Sequence, residues 1–152
     1  FPTRRSSDLN VDDMFERAGC KDILHLHGFL QELRCGKCNT ILNINYEEQF
    51  EKHENCPNCN NLLRPNIVFF GENAPKYQDM YKEFDDCEVF VVIGTSGAVI
   101  HPDMFLNPQI KLSILNNLQE SQFINDSVYS KVLYKKATLA IDEIASDIEE
   151  YL

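Results

Sequence analysis

The chain has 152 residues, 43% of them hydrophobic, a formal net charge of −10 and six cysteines. That is long enough for one domain with a real core. The acidic balance argues against a basic nucleic-acid face. No apolar run approaches the ~20 residues that span a bilayer, and the first residues lack the roughly 7–15-residue apolar stretch of a secretory leader.

Residues 1–9, Phe1-Pro2-Thr3-Arg4-Arg5-Ser6-Ser7-Asp8-Leu9, show neither a helical nor a strand period. They read like one frame of a sequencing-library adapter and are expected to be a foreign scar, dispensable for folding. The native text is then expected to start at Asn10. Val11 to Ala18 reads as a short helix, with Asn10 able to cap it and Gly19 to stop it. Asp22 to His27 reads as a short strand ended by Gly28.

Leu33 to Leu63 carries the strongest chemical signal. Cys35-Gly36-Lys37-Cys38 and Cys56-Pro57-Asn58-Cys59 are two Cys-x-x-Cys turns separated by residues 39–55. Each turn aims two thiolates at one centre, and the spacing falls in the zinc-ribbon window of about 15–20 residues. Four sulfurs fill the tetrahedral shell of Zn²⁺ and leave no open position, so the zinc is expected to be structural. Two redox pairs or two disulfides are the alternative. Thiols used for metal suit a reducing cytoplasm. Cys20 and Cys87 fall outside this scheme and are expected to be small buried thiols.

Asn66 to Phe70 is a β-branched and aromatic run, hence strand-like. Pro75 to Phe84 looks helical, with Pro at a helix start. Glu88 to Ile93 is continuously apolar after its first residue, as buried parallel strands are, and Gly94-Thr95-Ser96-Gly97 follows as a loop. In open α/β sheets, ligands sit beyond the carboxyl ends of strands. Lys111 to Leu115 is a second candidate strand, ending in Asn116-Asn117. Ala137, Ile141, Ile144, Ile148 and Tyr151 recur at helical steps and predict an amphipathic C-terminal helix. The sum is an α/β chain: part of a Rossmann-like parallel sheet with a small four-cysteine zinc ribbon inserted. The zinc module is placed at 33–63 and the Rossmann-like part at 64–152.

Taken in order, these segments resemble a known family. Asn10-Val11-Asp12, His27-Gly28, the four cysteines, Arg64-Pro65-Asn66-Ile67-Val68-Phe69-Phe70-Gly71-Glu72, Gly94-Thr95-Ser96 and Asn117-Leu118-Gln119 are similar to the successive motifs of sirtuins of bacterial type. These are NAD-dependent protein-lysine deacylases. The resemblance departs at three places. The family's Gly-Ala-Gly-x-Ser phosphate loop is absent, Leu9 stands where a glutamine is usual, and Ile100-His101-Pro102 follows Val99 with one residue more than the family pattern. A fragment inactive or poorly folded alone is therefore expected.

The resemblance implies NAD and zinc as cofactors and an acylated-lysine protein or peptide as partner, with no nucleic acid and no membrane. His27 becomes the general base that deprotonates a ribose hydroxyl, a role suited to a group titrating near neutrality. The products would be free lysine, nicotinamide and O-acyl-ADP-ribose. Asn10, Val11 and Asp12 would hold the nicotinamide end of NAD, though Asn10 and Asp12 also suit helix capping. Gly94, Thr95, Ser96, Asn117, Leu118 and Gln119 would meet its phosphate and ribose, and Ala137 its adenine. Val68, Phe70, Gly71 and Glu72 would form one side of the acyl-lysine peptide groove, with Val99 opposite. Read on their own, the same residues are a strand and its exit. His25 is expected to be scaffold; His53 and His101, surface residues. Two other functions share features of this chain: an ADP-ribosyltransferase on the same scaffold, and a non-catalytic zinc-ribbon interaction module.

Overall fold

A computed structural model describes residues 6–44 and 53–152. The chain divides into two compact units, Phe1–Lys82 and Glu83–Leu152. The zinc-module boundary expected after residue 63 falls inside a strand, Leu63–Ile67. Residues 1–5 of the suspected scar and 45–52 of the expected zinc module lie outside the described residues.

The first unit begins with β1 (Ser6–Asp8), α1 (Met14–Arg17) and β2 (Ile23–His25). β1 and β2 pair in parallel, with Asp8 opposite His25. The expectation that residues 1–9 carry no strand is corrected here. A polar strand has no apolar alternation to betray it, but its backbone pairs all the same. Asp8 is buried, its carbonyl accepts the Leu26 N–H at 2.8 Å, and its carboxylate accepts the Asn10 N–H at 2.9 Å. Deleting Phe1 to Leu9 is therefore expected to lower the melting temperature, the reverse of dispensability. An unchanged melting curve would show that β1 contributes nothing.

α1 is shorter than the expected 11–18 helix, and it is Asp12 rather than Asn10 that accepts a first-turn N–H, that of Met14, at 3.0 Å. Gly19, at φ 86°, ends the turn as expected. β3 (Gly28–Cys35) is the central strand of an antiparallel sheet ordered β4-β3-β5, with β4 at Ile41–Asn43 and β5 at Leu63–Ile67. Pro65 is tolerated because β5 is an edge strand. The strand expected at 66–70 thus begins earlier and ends at Ile67, and the 22–27 strand is only three residues long. α2 (Tyr77–Glu83) closes the segment, with Met80 buried.

Gly28 sits at φ 90°, where a Cβ would lie 1.9 Å from the Asn66 carbonyl oxygen. Neither backbone can yield without breaking the β3–β5 ladder. Gly28→Ala is expected to destabilise this unit by on the order of 3 kcal/mol. Gly36→Ala, with nothing within 4 Å of its Cβ, is expected to be close to neutral. Equal thermal stabilities for the two variants would contradict the close approach.

The second unit holds β6 (Val89–Ile93), β7 (Leu112–Asn117) and β8 (Lys131–Tyr134), all parallel in the order β6-β7-β8, followed by α3 (Ala137–Tyr151). Alternate residues face opposite ways. Val91, Ile114 and Leu133 pack with Ala140, Ile144 and Ile148 of α3, while Phe90, Val92, Leu115 and Val132 pack with Ile124 and Tyr129. Burial on both faces is why β6 reads as an unbroken apolar run. The α3 stripe is narrower than expected: Ala140 faces inward beside Ile144 and Ile148, whereas Ala137, Ile141 and Tyr151 are exposed. Cys20 is also exposed rather than buried. Among the described residues, no helix is long and apolar enough to cross a membrane.

Candidate functional site

The two cysteine turns have one design. Each Cys-x-x-Cys is followed by an Asn at φ 57°, Asn39 and Asn60, and each of these N–H groups returns to the carbonyl of the first cysteine, at 3.1 and 2.8 Å. Asn tolerates this left-handed conformation better than most residues. The four sulfurs of Cys35, Cys38, Cys56 and Cys59 lie within 4.8 Å of one another. Cys35 and Cys59 are 3.4 Å apart, and Cys38 and Cys56 3.6 Å. These separations far exceed an S–S bond of about 2.05 Å. They are near the roughly 3.8 Å edge of a tetrahedron with bonds of about 2.3 Å. The Thr40 hydroxyl beside Cys38, then the Thr40 N–H, pull that thiol down to about 6. The neighbouring sulfurs of Cys38 and Cys35 push the Cys59 thiol up to about 12, so without metal the negative charge settles on part of the set; it is the convergence of four sulfurs that fits a zinc-binding module.

His27 follows β2 and directly precedes Gly28, so a strand end and the close approach at residue 28 fix its backbone. Its Nδ1 lies 3.1 Å from the Leu9 carbonyl oxygen and its Nε2 lies 2.8 Å from the Tyr77 hydroxyl. Its own carbonyl accepts the Val68 N–H at 2.8 Å. The candidate base and the candidate peptide edge are thus joined by one backbone hydrogen bond. His25 faces elsewhere: it is buried, stacked on Phe29 with centroids 4.5 Å apart, and its Nε2 meets Glu16 at 2.8 Å.

The edge after β5 is shaped by an ion pair that sequence reasoning did not single out. Both Arg64 terminal nitrogens donate to Glu72, at 2.5 and 2.8 Å. Arg64 also donates to the Ile67 carbonyl and lies over the Phe69 ring, and the Phe69 N–H donates to Glu72 at 3.0 Å. Glu72 therefore braces this turn with both carboxylate oxygens, while Phe70 stands fully exposed. Arg64, then the Phe69 N–H, hold the Glu72 carboxyl down at about 2. A depressed carboxyl contributes stability above its unfolded value of about 4.3, and that contribution fades as pH falls toward 2. The Phe69 amide resonance is expected to titrate with a midpoint near 2. A midpoint near 4.3 would show that the pair does not hold in solution.

Asn10 is exposed at the end of β1. The Val11 carbonyl is engaged by the Leu30 N–H at 2.8 Å, and Asp12 by Met14.

In the second unit, the remaining expected residues collect at the carboxyl ends of three neighbouring parallel strands. Gly94, Thr95 and Ser96 follow β6, Asn117 ends β7 with Leu118 and Gln119 beyond it, and Ala137 opens α3 just past β8. The buried Asn117 accepts the Thr95 N–H at 3.0 Å through its side-chain oxygen, so it shapes the Gly-Thr-Ser loop. The Gly94 N–H reaches the Asn116 carbonyl at 2.9 Å. Val99 is exposed, two residues after Gly97, whose φ of 75° and packing on Ile124 turn the chain.

The Sir2 family model matches residues 4–102. A Campylobacter jejuni NAD-dependent protein deacylase is 45% identical over 144 residues, 94% of this chain and 60% of its own length. The Helicobacter hepaticus NAD-dependent protein deacylase is 43% identical, covering 93% and 58%. Among solved structures, a mutant Sir2 homologue in an ADP-ribose complex superposes with a TM-score of 0.77 at 30% identity, covering 95% of this chain and 59% of that one. A Sir2 complex with a p53 peptide and NAD⁺ gives 0.71 at 27%, covering 93% and 63%. The chain thus spans about 60% of the length of the curated relatives it matches.

Proposed function

The chain belongs to the Sir2 family, and from that premise we propose that it is the zinc-bearing, base-bearing portion of an NAD-dependent protein-lysine deacylase, inactive in isolation. The observation that carries the proposal is the hydrogen bond from the Val68 N–H to the His27 carbonyl. It sets His27, which directly precedes the glycine that opens β3, against the edge that would receive an extended peptide.

Bound NAD would supply an electrophilic ribose carbon and a leaving nicotinamide. Val68, Phe70 and Gly71 would take an acyl-lysine peptide as an added strand, since backbone pairing gives affinity without side-chain selectivity. Glu72 would act through Arg64 and Phe69, holding that edge in shape. Nε2 of His27 would take the proton of a ribose hydroxyl, because the Leu9 carbonyl on Nδ1 leaves Nε2 as the ring's acceptor. Asn10 and Asp12 would line the nicotinamide end. Gly94 to Ser96, Asn117 to Gln119 and the backbone at Ala137 would meet the rest of the cofactor beyond the sheet's carboxyl ends, where open α/β sheets bind ligands. Val99 would flank the peptide. Zinc at Cys35, Cys38, Cys56 and Cys59 would be structural, with no open position.

The test uses the chain completed with the missing portion of the Campylobacter jejuni relative. Nicotinamide release is expected only when NAD and an acetyl-lysine peptide are both present. Release without peptide, with label transferred to protein, would favour an ADP-ribosyltransferase. No release, with zinc retained, would favour a zinc-ribbon interaction module.

A further inference from the structure

The proposed base has two partners in the structure, and they do different work. The Leu9 carbonyl is a pure acceptor, so at 3.1 Å it requires the proton of neutral His27 to sit on Nδ1. It does so through backbone, which any residue at position 9 provides. The lone pair is then on Nε2, and the Tyr77 hydroxyl faces it at 2.8 Å. That is the reach a substrate hydroxyl needs to give up its proton, about 2.6–3.2 Å. The Tyr77 ring also stands edge-on to the imidazole, with centroids 5.8 Å apart and planes at 63°. Burial, then neighbouring Tyr81, push the phenol pKa above its ordinary value, which keeps the O–H protonated as a donor.

We propose that Tyr77 is a positioning residue for His27: its hydroxyl donates to Nε2 and fixes the direction of the lone pair, while the Leu9 carbonyl fixes the tautomer. The proposal rests on His27 being the base, and deepens that reading. The contact links residues 50 positions apart. Tyr77 opens α2, whose turn is anchored by the buried Met80. The imidazole is therefore pinned between the end of β1 and the start of α2. Held on both nitrogens beforehand, the ring already populates the rotamer and tautomer that a hydroxyl arriving at Nε2 needs. The phenol occupies the place of that hydroxyl and yields it on binding.

The test is ¹⁵N NMR of the histidine rings in this chain, without NAD, with His27→Gln used to assign the His27 signals. Wild type is expected to show His27 as one Nδ1–H tautomer, with Nε2 shifted as a hydrogen-bonded acceptor. Tyr77→Phe keeps the ring and removes the hydroxyl. It is expected to keep the tautomer, move Nε2 toward an unbonded ring nitrogen, and raise a second His27 rotamer about two- to tenfold, the weight of one neutral hydrogen bond. An unchanged Nε2 signal in Tyr77→Phe would overturn the proposal, because a purely structural ring would give that result. If the variant does not fold, wild type decides alone: an Nε2–H tautomer, or no cross-relaxation between the Tyr77 hydroxyl proton and the His27 ring, overturns it. Because no cofactor is present, failure here leaves the deacylase reading standing.

Discussion

Replacing Cys35 with Ala is expected to abolish zinc binding and unfold the tip of the β3–β4–β5 sheet. Cys35 is fully buried and is the last residue of β3, so its sulfur links the metal site to the central strand. Three ligands remain in the variant, but one knuckle loses its anchor, and the Lys37 N–H loses its sulfur acceptor at 3.4 Å. Metal binding and local folding are one free energy in such modules, with apparent values of roughly 10–16 kcal/mol for small zinc-binding peptides. Part of that survives in a sheet with other supports, so the loss is expected to be local first. Metal analysis of reduced wild type should give one equivalent of zinc, and Cys35→Ala none. Chelation of the wild type should reproduce the variant's circular dichroism. A reduced wild type without zinc would contradict the metal reading, and a zinc-free chain with an unaltered spectrum would contradict its structural role.

The second large effect is on rate. In the completed chain, His27→Ala is expected to lower NAD-dependent deacetylation by about 10²–10⁴-fold, the usual contribution of a positioned base. The fold should persist. The hydrogen bond from Val68 uses the backbone of residue 27, so the substrate edge keeps its anchor. The lost side-chain contacts to Leu9 and Tyr77 are neutral hydrogen bonds, together worth about 1–3 kcal/mol. Zinc content and acetyl-lysine peptide affinity should be unchanged. Near-normal turnover in this variant would make His27 scaffold and leave the proton with another group.

What the sequence revealed depended on whether the signal was local. The cysteine knuckles are legible because ligand geometry is set within four residues, and even the Asn after each second cysteine has its reason in the turn. β6 is legible because burial on both faces leaves an unbroken apolar run. β8 is not: four residues flanked by Ser130 and Lys135 carry too short a pattern. The α3 stripe slipped at Ala140 because a small residue can take the inward position as well as a large one, leaving Ile141 outside. β1 is invisible because Ser6-Ser7-Asp8 pairs through backbone alone. Within the candidate site, motif order singled out His27 and the Val68–Glu72 segment as candidates. It could not reveal that Glu72 is spent on Arg64, or that Tyr77 reaches His27, since those pairs are made by the tertiary fold. A lone tyrosine at a helix start has no signature of its own.

His27 as the proposed base and the Val68–Glu72 segment as the proposed peptide edge would together serve acyl removal from lysine. Mass spectrometry of the products formed by the completed chain from NAD and an acetyl-lysine peptide tests it most directly. Deacetylated peptide, nicotinamide and O-acetyl-ADP-ribose are expected in equal amounts. Intact peptide alongside ADP-ribosylated protein would contradict it.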